Sequence, residues 1–249
     1  MLSVVIPTFN HIETLPRAIH SACQVRGVSD VVVVDDCSQD GTVEYLEMVC
    51  QKNPIVRYFG SLENSGPGKS RNIGAVQAYG KWLTFLDADD EIINEGFLED
   101  ALDVFGLDPS ISVVKAPMEF FDPVKGYILP VTDPRYTSAV MSSGCAIIIP
   151  REMFLKTGGF PESSVFRGCS GGEDVAFMQA LLQVCGPLGR IDATSYRVWS
   201  RDGSHLDRFL SRTRLNEDGF EFLVPSMEQD VVLNEAVSVF KIEVLGKFK

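Results

Sequence analysis

No run in this sequence approaches the roughly 20 apolar residues that a membrane-spanning helix requires. The opening stretch, Met1-Leu-Ser-Val-Val-Ile-Pro7, has no basic flank and is too short for a secretory signal; it reads instead as a strand. An excess of cations is missing as well. Lys and Arg total 22 against 34 Asp and Glu, giving a formal net charge of −12 and a pI near 4.7. That balance argues against broad electrostatic binding to nucleic acid or to an anionic membrane surface. An anionic ligand would need local cations, or a divalent metal, to overcome the background. The six cysteines (Cys23, Cys37, Cys50, Cys145, Cys169 and Cys185) form no C-x-x-C pair, so a zinc site or a redox pair has weak support. Most sit among apolar neighbours, where a Cys acts as a small buried hydrophobe, and a reducing, cytoplasmic setting fits them. Histidine is scarce, with only His11, His20 and His205. Internal repeats and low-complexity linkers are absent.

What remains is a chain of 249 residues, 45% hydrophobic and 22% charged, long enough to bury a sizeable α/β core. Its first half alternates strand and helix. Leu2–Ile6 is a short apolar run stopped by Pro7. Leu15, Ala18, Ile19 and Ala22 then fall on one helical face, with Asn10 and Glu13 resembling a capping box. Val31–Val34 are four consecutive valines, as in a parallel strand covered on both faces. A helical stripe (Val43, Leu46, Val49, Cys50), a short strand at Val56–Phe59, a helix from Pro67 to about Tyr79 and a strand at Lys81–Leu86 follow. This repetition predicts right-handed crossovers and a mostly parallel sheet. The second half is less regular. Strands are expected at Ile111–Lys115, Cys145–Ile149 and Tyr196–Trp199, and helices at Arg151–Thr157, Glu173–Cys185 and His205–Leu215. A hairpin or mobile loop is expected over Phe120–Pro134.

In open α/β sheets ligands bind beyond the carboxyl ends of the strands. Those ends carry Thr8, Asp35-Asp36 and Asp87-Ala88-Asp89-Asp90. Alternating acids such as Asp87 and Asp89 can present two carboxylates to Mg²⁺ or Mn²⁺, although acids at strand ends also simply solvate turns. Asp36 can accept hydrogen bonds from a nucleotide base or belong to a turn before the next helix. Gly68-Lys69-Ser70 imitates the end of a P-loop, but Glu63 stands where that motif needs its first Gly, so an ATPase is rejected. Lys69 and Arg71 at this helix entry can still face an anion. Glu173-Asp174, after Gly171-Gly172, reads either as acids favouring a helix dipole or as a general base. Arg201 and His205 supply cations late in the chain.

Taken in order, these pieces resemble a known family. Val4-Val-Ile-Pro-Thr-Phe-Asn10, Val33-Val-Asp-Asp-Cys-Ser-Gln-Asp-Gly-Thr42, Asn64-x-Gly-x-x-x-Ser-Arg-Asn-x-Gly74, Phe85-Leu-Asp-Ala-Asp-Asp90, Gly158-Gly-Phe-Pro-Glu162 and Gly172-Glu-Asp174 are similar to the blocks of family 2 glycosyltransferases. The resemblance covers about residues 2–206 and implies an α/β GT-A fold. That fold has a Rossmann-like, mostly parallel central sheet with helices on both faces, and a small antiparallel acceptor-side region. It divides the chain into a domain over 1–206, with a nucleotide-binding half at about 1–90 and an acceptor half at about 91–206. A C-terminal extension of unassigned role follows over 207–249. The implied activity is inverting transfer from a nucleotide-sugar, usually a UDP-sugar, to a glycan or lipid-linked acceptor, assisted by Mn²⁺ or Mg²⁺. A homodimer and a peripheral position at the inner face of a membrane stay open.

The resemblance also assigns residues. Thr8 and Asp36 would contact the base, Arg71 the nucleotide end of the donor, and Asp87 the ribose side and the metal. Asp89 would bind the metal, Asp174 would be the catalytic base, and Glu173 would flank it on the acceptor side. Lys69 and Arg201 would add positive charge at the donor. Two positions depart from the pattern. Arg201 stands where many relatives have a His near the metal and diphosphate, and Ser170-Gly171-Gly172 replaces a Trp-Gly type sequence. Two other readings are a catalytically silent nucleotide-sugar-binding module and a sugar-nucleotidyltransferase. The latter needs a Gly-rich basic loop after the first strand, where Pro7-Thr8-Phe9-Asn10-His11 stands.

Overall fold

A computed structural model describes residues 1–167, 172–200, 203–223 and 228–248. The first half runs β1 (Leu2–Thr8), α1 (Leu15–Gln24), β2 (Val28–Asp35), α2 (Thr42–Lys52), β3 (Val56–Gly60), α3 (Pro67–Gln77) and β4 (Trp82–Phe85). The second half continues with β5 (Glu91–Ile92), α4 (Phe97–Leu107), β6 (Val114–Lys115), β7 (Met118–Asp122), β8 (Tyr127–Ile128), α5 (Pro134–Ser142), β9 (Ile147–Pro150) and α6 (Arg151–Thr157). It closes with α7 (Glu173–Cys185), β10 (Gly189–Arg190), β11 (Tyr196–Trp199), α8 (His205–Ser211), β12 (Thr213–Asn216), β13 (Gly219–Phe222) and α9 (Glu228–Gly246). Among the described residues no helix is long and apolar enough to cross a membrane.

The main sheet has the order β10-β6-β9-β4-β1-β2-β3. Strand β1 pairs in parallel with β2 and β4, whereas β9 runs antiparallel to β4 and β6. Every residue of β1 and all four consecutive valines of β2 are buried. Helices α1 and α3 both pack on these strands, which explains why the strands are uniformly apolar rather than alternating. The chain moves outward from β1 to β3 and then returns to β4 on the other side of β1. A crevice opens at such a switch point, and the ends of β1, β2 and β4 converge on it. A second sheet, β5-β11-β7-β8, is built entirely from the second half of the chain, and both halves share one hydrophobic core.

Several local expectations are corrected. Helix α1 starts after Thr14 rather than at Asn10. Asn10 instead takes a left-handed φ of 56°, which Asn tolerates, and its Oδ1 accepts from the Gln39 N–H at 2.8 Å, tying the ends of β1 and β2 together. Of the two readings of Phe120–Pro134 the hairpin holds, with β7 and β8 paired antiparallel. The helix expected over His205–Leu215 ends at Ser211, because Thr213–Asn216 pairs with Gly219–Phe222 across a turn whose Gly219 has φ 130°. Phe209, Phe220 and Phe222 cluster at that hairpin, with centroids 5.6 to 6.2 Å apart.

Helix α3 approaches the sheet closely through Gly74. A Cβ there would meet Val5 Cγ1 at 2.4 Å and Val34 Cγ2 at 3.3 Å. Gly→Ala inside a helix ordinarily stabilises by about 1 kcal/mol, but overpacking of this kind costs about 1–3 kcal/mol. Gly74→Ala is therefore expected to lower the stability read by a urea melt, and an unchanged or higher midpoint would contradict this packing.

Candidate active site

A cleft of about 1040 Å³ lies over the carboxyl ends of β1, β2 and β4. Thr8, at the end of β1, lines it; its Oγ1 is buried and has no hydrogen-bond partner among the described residues. A buried hydroxyl without a partner is costly unless a ligand satisfies it. Asp36 is buried at the end of β2 and also lines the cleft. Its two carboxylate oxygens accept from the Ser65 and Gly66 backbone N–H groups at 2.8 and 2.7 Å. It therefore holds the glycine-rich entry to α3 against the strand ends.

That entry delivers Arg71. The side chain is only 3% exposed, and its guanidinium donates to Asp87 Oδ1 at 2.7 Å and to Asp174 Oδ1 at 2.9 Å, with Glu173 Oε1 at 3.5 Å. Phe160 lies beneath it, 5.0 Å from ring centroid to Cζ. Burial alone would lower the basicity of Arg71, but Asp174 and Asp87 reverse that and hold it well above its usual value. The neighbouring Asn72 fixes the Gly158–Glu162 segment. It accepts from the Phe160 N–H at 2.8 Å and donates to the Phe160 carbonyl at 2.9 Å. Gly159 has φ 79°, and a Cβ there would strike Asn72 Oδ1. Consecutive residues of one helix thus join three of the sequence blocks.

Glu173 and Asp174 form the first turn of α7, and both line the cleft. Glu173 is 13% exposed; burial first, and the Asp174 charge second, push its carboxyl up to about 7. Asp174 is 23% exposed and keeps its direct bond to Arg71. Gly144 lets the preceding loop reach this turn, because a Cβ there would lie 2.9 Å from Asp174 Oδ1 and 2.7 Å from Phe160. The buried Lys115 pins that loop from below, donating to the carbonyls of Ser143, at 2.8 Å, and Cys145. Burial pushes its ammonium down to about 8.

The turn after β4 concentrates acids. Asp87, Asp89 and Asp90 all line the cleft. Asp90 is buried and accepts from the Trp199 N–H at 3.0 Å; burial, Asp89 and Asp87 raise its carboxyl well above the usual range. Arg17 of α1 stacks 4.3 Å over the Trp199 ring and donates to the Asp89 carbonyl. Among the described residues no three His, Cys, Asp or Glu side chains converge as a metal cage. Two cleft-lining carboxylates with a surplus of negative charge do fit Mg²⁺ or Mn²⁺, which are commonly held by one or two carboxylates, waters and substrate phosphates.

Other expected residues lie elsewhere. Lys69 donates to Ser65 Oγ at 3.4 Å and does not line the cleft. Arg201, Asp202, Cys169, Ser170 and Gly171 lie outside the described residues. Nothing in the sequence marks Arg17 and Lys115, because each acts through partners more than 25 positions away. The described part of the C-terminal segment, through α9, docks on α7 and the turn before it. Leu233 and Val237 pack with Phe166 and Ala176, and Leu233 covers Gly172, just before the two acids of α7. Lys247 Nζ donates to the Thr157 carbonyl at 3.0 Å.

Residues 3–158 match the family described as Glycosyl transferase family 2. An uncharacterized glycosyltransferase of Haemophilus influenzae is 34% identical over 194 residues, covering 74% of this chain and 62% of that protein. The poly(ribitol-phosphate) beta-N-acetylglucosaminyltransferase TarS of Staphylococcus aureus is 36% identical over 104 residues, covering 40% of this chain and 18% of that protein. The chain therefore spans less than two thirds of the length of these relatives. In structure, S. aureus TarS 1-349 in complex with UDP-GlcNAc superposes with a TM-score of 0.68 at 22% identity, over 99% of this chain and 71% of that one. GalNAc-T7 with UDP, GalNAc and Mn²⁺ superposes with a TM-score of 0.61 at 22% identity, over 81% and 44%. The fold is GT-A, and the chain belongs to glycosyl transferase family 2.

Proposed function

We propose that the chain transfers a sugar from a UDP-sugar to an acceptor hydroxyl, with inversion at the anomeric carbon. One observation carries the reading: Arg71 joins Asp87 of the strand-end acids to Asp174 of the α7 turn, so donor-side and base-side carboxylates meet in one cleft. Thr8, with its unsatisfied hydroxyl, and Asp36 would receive the nucleoside. TarS, a relative and structural neighbour, has been solved with UDP and with UDP-GlcNAc, which supports a uridine donor. The described cysteines are all free thiols, which supports a reducing, cytoplasmic compartment.

Asp89, with Asp87 beside it, would hold Mn²⁺ or Mg²⁺, which supplies Lewis-acid stabilisation of the departing diphosphate. The acceptor hydroxyl must lose a proton as its oxygen attacks the anomeric carbon, and Asp174 would accept it. The hydrogen bond from Arg71 orients the Asp174 carboxylate through Oδ1, leaving Oδ2 for the acceptor. Single displacement needs no covalent sugar intermediate.

Asp89→Ala is expected to weaken metal-dependent UDP-sugar binding at least tenfold, about 1.4 kcal/mol. Equal calorimetric affinities in variant and parent would remove Asp89 from the metal site.

Asp174→Asn is expected to leave donor affinity nearly intact while transfer falls about 10²–10⁴-fold, the usual contribution of a general base. If Glu173→Gln abolishes transfer and Asp174→Asn does not, the base is Glu173.

Glu173 also yields a stability prediction. Its folded pKa of about 7 lies above the ordinary value of 4.5, so its ionisation opposes folding as pH rises between the two. Glu173→Gln removes that penalty. The variant should therefore gain Tm over the parent at pH 8 and lose the advantage below pH 4.5. A constant difference across that range would show that Glu173 titrates normally.

A further inference from the structure

The cleft extends past the acids to a wall built by α8, β13 and α9, in a segment that the family match does not reach. Arg208 and Arg212 line this wall, four positions apart at the end of α8. Neither has an ion-pair partner among the described residues. The acids near them are engaged elsewhere: Asp207 faces Lys125 at 3.5 Å, and Glu221 pairs with Arg214 at 2.5 Å. The third cleft arginine, Arg71, is already held by Asp87, Asp174 and Glu173. In a chain of net charge −12, the cleft thus keeps two uncommitted guanidiniums on the wall away from the strand ends.

The same cleft also presents polar groups suited to a hydroxyl-rich chain. Asn234 and Ser238 of α9 line it, as do Ser138 and Ser142 of α5. Guanidinium is the side chain best matched to planar or bidentate recognition of phosphate and carboxylate. We infer that Arg208 and Arg212 form a subsite for an anionic acceptor, a polyol or glycan bearing phosphate or carboxylate groups beside the hydroxyl that receives the sugar. The inference rests on the glycosyltransferase reading, and it adds the charge of the acceptor.

The test uses the full chain with Mn²⁺, titrated by calorimetry with three probes: a short glycerol-phosphate oligomer, an oligoglucuronate and neutral maltotriose. Each titration is run with and without saturating UDP. At least one anionic probe should bind at least tenfold more tightly than maltotriose, and the better of the two identifies the anion as phosphate or carboxylate. Arg208→Met and Arg212→Met together should weaken that probe at least tenfold, with UDP affinity changed less than twofold. Arg208→Lys with Arg212→Lys should recover part of the loss, which separates lost charge from lost folding. Three results overturn the inference: no preference for anions, binding unaffected by the substitutions, or a parallel loss of UDP affinity, which assigns the arginines to the donor diphosphate. If UDP fails to bind the parent, it is the glycosyltransferase reading that fails, and the titrations without UDP still judge the anion subsite.

Discussion

The guanidinium of Arg71 lies almost fully buried between carboxylates that the sequence separates by nearly a hundred positions. Taking such a charge out of water costs several kcal/mol, and only close, well-oriented partners offset that cost. Asp87 and Asp174 are those partners, and each would otherwise be a half-buried acid beside other acids. Much of the surrounding architecture serves this contact. Asp36 fixes the entry to α3, Gly74 seats that helix on β1 and β2, Asn72 ties down the segment carrying Phe160, and Lys115 holds the loop below Asp174. One guanidinium is shared among three carboxylates, so each partner constrains where the others can sit.

Local pattern made the first half of the chain legible. The valine run, the helical stripes and the acids at strand ends are short-range signals, and each reappears as an element of the sheet or of its edge. What local pattern could not show was how side chains pair across the fold. Asp36 is already bonded to two backbone N–H groups, a partnership that no spacing rule reveals. The resemblance puts Arg71 at the nucleotide end of the donor, and no spacing rule adds that its bonds run to acids on two other elements. Arg17 and Lys115 bind backbone carbonyls far along the chain, and nothing in their own neighbourhoods marks them.

Boundaries failed where one kind of regularity gave way to another. The residues after α8 continue a helical stripe well enough to suggest a longer helix. The Asn216-Glu-Asp-Gly219 turn and three phenylalanines instead favour a hairpin. That change places α8 and β13 against the cleft and gives the segment after residue 206 a wall to build. The two sides of the cleft thus draw on different parts of the chain. The side at the ends of β1, β2 and β4 comes from contiguous strand–helix units, whereas the other is assembled from α5, α7, α8 and α9, far apart in sequence.

The docking of α9 has a consequence for synthesis. A chain leaves the ribosome from its N-terminus, and units stabilised by nearby residues form first. The strands and helices through β4 can gather around their end of the cleft from neighbours close in sequence. The turn bearing Glu173 and Asp174 gains its cover only when Leu233 and Val237 have been made. During translation, the strand-end side of the cleft can therefore form before the α7 turn that faces it is covered.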